Sequence, residues 1–102
     1  MMRTETQIEA EQDRLLALET EQTRTEHARV AKLLIETAQS YLEDAPERKL
    51  AFGLIAIAKR LYGLEQYKAA SGRALHAIEI LVGVDSKTRT NAMLICADTF
   101  GG

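Results

Sequence analysis

Residues 51–84 read AFGLIAIAKRLYGLEQYKAASGRALHAIEILVGV, and the fold turns on that stretch. Nothing in it alternates apolar and polar residues with the period of two that a half-buried strand needs. Its apolar residues recur three and four apart instead, first Leu54, Ile57, Ala58 and Leu61, then Tyr67, Ala70, Ala74, Ala77, Ile78 and Leu81. That spacing lines each set along one face of a helix. Gly63 predicts a C-terminal stop for the first helix, the second begins at about Glu65, and Gly83 predicts its stop. Two helices joined so tightly must fold back on each other as an antiparallel hairpin. Ala58, Ala70 and Ala77 are small where the two must approach, and Leu61 and Tyr67 fill the space beside them. Gly72 reads as another close-packing position, since glycine inside a helix otherwise costs about 1 kcal/mol relative to alanine.

Upstream, Asp44-Ala45-Pro46 ends the preceding segment, and Pro46-Glu47 suits the first turn of the hairpin's first helix, which takes in Leu50. From Met1 to Ala45 there is neither Gly nor Pro, and Glu, Gln, Arg, Leu and Ala favour helix throughout. Val30, Leu33, Leu34, Ala38, Tyr41 and Leu42 form its apolar face. Between Glu19 and Arg29 there is almost nothing to bury, and Thr20, Thr23 and Thr25 lower the helix propensity. The segment therefore reads either as one long helix or as two helices jointed near 20–25. Downstream, Asp85 or Ser86 offers an N-cap to a short last helix that carries Ala92, Met93, Ile95 and Cys96 and frays by Gly101-Gly102. The expected fold is all-α: a long N-terminal helix packed on the hairpin, plus a short C-terminal helix. It forms one domain over 1–102, with a polar helical arm at 1–29 and a helical core at 30–102.

Leu54, Ile57, Ala58, Leu61, Leu64, Tyr67, Ala70, Ala74, Ala77 and Ile80, within a window of 34 positions, resemble a single tetratricopeptide repeat. The chain departs from that pattern at Glu65, where the turn usually has Gly, and at Val82, where the closing Pro usually stands. The resemblance covers about a third of the chain, and it implies a surface for protein partners rather than an active site. A lone repeat unit cannot bury its own faces. It must be covered by the N-terminal helix, the last helix, a second copy or a different protein.

The composition narrows the function classes. The 102 residues carry 13 basic and 15 acidic side chains, a formal net charge of −2. A nucleic-acid partner is not expected, because such binding rests on clustered Lys and Arg neutralising phosphates. The balance is uneven: residues 1–48 hold 6 basic and 11 acidic side chains, and residues 49–102 hold 7 and 4. One cysteine allows no intramolecular disulfide and no Cys-rich metal site. The N-terminus lacks the apolar core of a signal peptide. The longest apolar stretch, Leu50 to Ala58, is far shorter than the roughly 20 residues that span a bilayer. A cytoplasmic location without membrane contact is the expectation.

The residues that could carry chemistry do not assemble into a catalytic, cofactor or metal site. His27 lies in the most polar part of the first helix, without the Glu-x-x-His or His-x-x-x-His spacing that a metal requires, and reads as solvated. His76 with Glu79 reads as a surface pair. Cys96 lies between Ile95 and Ala97 with no base in reach, so it reads as a core thiol. The expected function is therefore a non-enzymatic protein–protein interaction module of the adaptor, assembly-factor, chaperone-like or inhibitor kind, with no cofactor. Ile8, Leu15 and Leu18 on the arm and Tyr62 and Tyr67 on the hairpin are its candidate partner-binding residues. The arm's heptad-like spacing 8, 15, with Gln22 where the next apolar residue should fall, also suits self-association. The alternative is a helix-turn-helix DNA-binding regulator that uses the helix 65–82 and offers Lys68, Ser71 and Arg73 to a groove.

Overall fold

The computed structural model describes residues 5–101, with side chains described over 20–101. Among these residues the chain is all-α, and four helices pack together: α1 (Glu5–Glu43), α2 (Lys49–Gly63), α3 (Tyr67–Val82) and α4 (Lys87–Phe100). No helix among them is long and apolar enough to cross a membrane. At 1.5 Å per residue α1 is about 58 Å long, and it sets the longest dimension of a molecule that measures 68 × 26 × 15 Å. The radius of gyration is 18.1 Å, against the about 13 Å of a compact chain of this size. α3 packs on all three other helices, whereas α2 and α4 flank it without meeting. α1 touches all three, so it lies over one face of an α2–α3–α4 layer.

The threonine-rich stretch of α1 is helical, and the threonines that bond back onto the helix leave its backbone ladder in place. Thr25 Oγ1 donates to the Glu21 carbonyl at 2.9 Å, and Thr37 Oγ1 does the same to Leu33 at 2.8 Å. Arg29 grips both carboxylate oxygens of Glu26 one turn away. That contact holds the Glu26 carboxyl below its ordinary range and raises the Arg29 guanidinium. Among the described side chains of α1, burial begins at Val30 and continues through Ala31, Leu34, Ile35 and Ala38.

The core is built from small residues. Eight of its 14 buried hydrophobics are alanines, among them Ala58, Ala70 and Ala77 at the hairpin seam. Small side chains bring helix axes towards the short end of the usual 8–10 Å separation. α2 buries Ala51, Leu54, Ile55 and Ala58. Two residues expected inside are instead outside: Leu50 is 65% exposed and Ile57 46%. Two on α1 behave likewise, with Leu33 and Tyr41 exposed. The Tyr41 hydroxyl lies 3.0 Å from Thr88 Oγ1 and ties the end of α1 to the start of α4. In each case the apolar residues on the helix outnumber what its buried arc can hold, and the ones off-centre are left in solvent.

The helix ends also correct the expectations drawn from glycine and proline. Pro46 does not open α2. It sits second in a turn closed by Arg48 N–H on the Ala45 carbonyl at 3.1 Å, and α2 starts at Lys49. The fixed φ of proline suits that turn position as well as it suits a helix start. Gly63 remains inside α2, and the stop is Glu65, which holds φ at +61°. Its N–H bonds the Tyr62 carbonyl at 3.0 Å, and the Gln66 N–H bonds Leu61 at 2.9 Å. This is the paired closure of a Schellman ending with a glutamate where glycine is usual. α3 therefore begins at Tyr67 rather than at Glu65. Gly83 does end α3, at φ 87° and ψ 164°, a region that essentially only glycine enters. Gly72 is not a close-packing position, because a Cβ there would meet nothing within 4 Å. Ser86 caps α4 by accepting from the Thr88 N–H, and α4 closes on a left-handed Gly101 instead of fraying.

Candidate functional site

Of the expected partner-binding residues, Ile8, Leu15 and Leu18 have side chains outside the described residues. Tyr62 and Tyr67 come together across the α2–α3 turn, their rings edge to face with centroids 5.4 Å apart. Both are half-buried. Tyr67 also walls an open concavity of about 1000 Å³, where the polar stretch of α1, with Thr23, Arg24 and His27, passes Gln66 before α3 and Lys68 in its first turn.

His27 is not a free solvated side chain. It is half-buried, with its ring 4.6 Å from that of Phe100 at the end of α4. That contact marks where α1 first meets the C-terminal helix. His76 is exposed, and Glu79 faces Arg89 on α4 at 3.9 Å rather than His76. No group of three or more His, Cys, Asp or Glu among the described residues could hold a metal ion. Cys96 is half-buried in an apolar setting, and burial pushes its thiol pKa up. A raised pKa means less thiolate at neutral pH, the opposite of what a nucleophile needs.

The groove that Cys96 borders runs between α3 and α4. It holds about 270 Å³ and is lined mainly by Leu75, Met93, Cys96, Ala97 and Phe100, with Gly72 leaving its floor bare. Ser71 also lines it, yet is only 1% exposed, and its hydroxyl has no hydrogen-bond partner. A serine this deeply buried cannot touch a base edge, so the set of DNA-reading residues on α3 loses Ser71.

The surface that sequence periodicity missed lies on α2. Leu50, Ile57 and Leu64 follow one another at seven-residue steps and are 65%, 46% and 60% exposed. Lys59 and Tyr62 face α1, lining a cleft with Lys32 and Ile35. At 100° per residue the three aliphatic side chains lie roughly 140–180° round the helix from Lys59. They therefore occupy the side of α2 turned away from α1, with half-buried Leu61 among them. Lys49 and Arg60, both exposed, border this stripe, and Arg73 of α3 is exposed as well. The signal was present in the sequence: α2 has apolar residues nearly all round, and three aliphatic ones recur every seven, with the exposed Phe52 standing off that stripe. No family model, no curated protein and no solved structure matches this chain.

Proposed function

We propose that this chain is a non-enzymatic helical module that binds a protein partner through the uncovered face of α2. One observation carries the reading. α2 buries two alanines with Leu54 and Ile55, and leaves Leu50, Ile57 and Leu64 in water. Scattered exposed apolar residues are ordinary on a soluble protein, but a continuous apolar stripe with a charged border has the composition of a contact surface. Adaptor, assembly-factor, chaperone-like and inhibitor roles all use such a face. The tetratricopeptide-like character of residues 51–84 fits the same reading. A lone thiol that is half-buried and needs no partner suits a cytoplasmic setting.

The experiment is site-specific photocrosslinking. A photoreactive residue replaces Ile57 in the full chain, and a control replaces Glu36, an exposed residue on the opposite helix α1. The expected result is a discrete protein adduct from position 57 and none from position 36. Equal, diffuse labelling from both positions removes the reading.

A further inference from the structure

We infer that the α2 stripe takes the acidic N-terminal arm of a second copy of this chain, the two copies exchanging arms about a twofold axis. The inference rests on the interaction reading above and names its partner. Its first support is charge. Residues 1–26 contain seven acidic and three basic side chains, whereas residues 49–82 contain five basic and two acidic. Lys49 and Arg60 are eleven residues apart and so lie on one side of α2, beside Leu50 and Ile57. Neither they nor Arg73 forms an ion pair among the described residues. A basic border without internal partners, next to an apolar stripe, fits an acidic amphipathic helix.

The second support is period. Leu50, Ile57 and Leu64 recur every seven residues, and Ile8 and Leu15 on the arm have the same step. Two helices with matching seven-residue stripes stay in contact along their length, because each knob meets an equivalent hole one heptad later. Leu18 adds a second apolar position to the arm, and the arm's sequence is acidic beside it, with Glu9, Glu11 and Asp13. Neither element holds the full two-position seam of a self-sufficient coiled coil, so each requires the other's surface.

The third support is topology. α1 is one helix from Glu5 to Glu43, anchored by Val30 to Ala38 on the face of the layer opposite the stripe. A continuous helix cannot turn back round its own bundle to reach Leu50 and Ile57. The same arm can reach a neighbouring molecule, and a twofold arrangement makes both contacts at once.

Sedimentation of the full chain as a function of concentration tests this. The wild type should reach twice the chain mass of 11.3 kDa. Ile57→Asp and Leu15→Asp should each weaken that dimer about tenfold or more, with the helical circular dichroism kept, and added salt should weaken the wild type as well. In a Cys96→Ser background, chains carrying Leu15→Cys are mixed with chains carrying Leu50→Cys, Ile57→Cys or Leu64→Cys in turn, and oxidised glutathione is added as the oxidant. The expected product is a mixed disulfide between the two kinds of chain. A wild type that is monomeric at every concentration, or a dimer indifferent to Ile57→Asp, overturns the inference. If a monomeric chain still gives the position-57 adduct with a different protein, self-docking falls and the interaction reading survives. If neither association appears, both fall.

Discussion

The two sides of α2 invert the usual order of a small domain. Towards α1 and α3 it presents Ala51, Leu54, Ile55 and Ala58, all buried; on the far side Leu50, Ile57 and, just past its last residue, Leu64 are each at least 46% exposed. Burying a large aliphatic side chain contributes about 1.5–3 kcal/mol, and burying an alanine contributes far less. A chain stabilised only for solitary life would place the larger residues inside. Close approach of three helices around α3 excludes them, since Ala70, Ala74 and Ala77 leave no room for bulk. The difference separates two faces: the inner one sets the spacing of the helices, and the outer one leaves apolar surface in water, which is the surface the proposed partner contact uses.

The two faces of α2 should respond oppositely to one substitution made on each. Ile55 is 3% exposed and Ile57 46%. Ile55→Ser removes a packed side chain and leaves a hydroxyl in an apolar site, and should cost about 3–5 kcal/mol in urea unfolding. In a core this small, that is enough to leave the chain largely unfolded. A loss under about 1 kcal/mol would show that α2 contributes little to the fold, and the contrast between its faces would lose its meaning.

A smaller effect with the opposite sign sharpens the inner side. The Ser71 hydroxyl is buried without a partner between α3 and its neighbours. An unsatisfied buried donor costs about 1–3 kcal/mol, and alanine is the better helix former. Ser71→Ala should therefore stabilise the protein by about 1 kcal/mol, visible as a raised urea midpoint. Destabilisation would mean that the hydroxyl has a partner, such as a buried water, and that the seam is more polar than the alanine pattern implies.

How far the sequence carried the fold follows the strength of each local signal. The all-α class and the hairpin at 51–84 were legible because the apolar period is unambiguous and no strand pattern competes. The cap of α4 was legible to within two residues, because Asp85 and Ser86 both suit the position before a helix, and the structure uses Ser86. Period gives the axis of an amphipathic face but not its width, and α2 has more apolar residues than its neighbours can cover, so Leu50 and Ile57 read as core and stand in water. Glycine is the usual residue past a helix end, so Gly63 reads as the stop; nothing local marks Glu65, whose conformation is imposed by closing the turn between α2 and α3. The exposed stripe of α2 is hidden for the same reason, since periodicity counts its residues as core.

The turn beyond Leu64 gives a finer test. A side chain at positive φ costs about 1–2 kcal/mol, which glycine avoids while adding some backbone entropy to the unfolded chain. Glu65→Gly should stabilise the fold by about 1 kcal/mol or slightly less. It changes no member of the stripe, so association measured by sedimentation should be unchanged. A change in association with Glu65→Gly would extend the contact surface round the turn and onto the Tyr62–Tyr67 pair.

The smallest expected effect is the most telling. Ile57→Ser exchanges two residues of nearly equal helix propensity at a position where almost half of the side chain is already in water. Unfolding free energy should move by no more than about 0.5 kcal/mol, measured at a concentration where the chain is monomeric. At higher concentration the wild type should gain stability with each increase, because association stabilises the folded state by mass action, and the variant should not. The two denaturation midpoints should therefore coincide in dilute solution and separate as concentration rises. If they differ in dilute solution, Ile57 supports its own fold and the outer face of α2 is part of the core. If they never separate, the stripe has no second copy to meet.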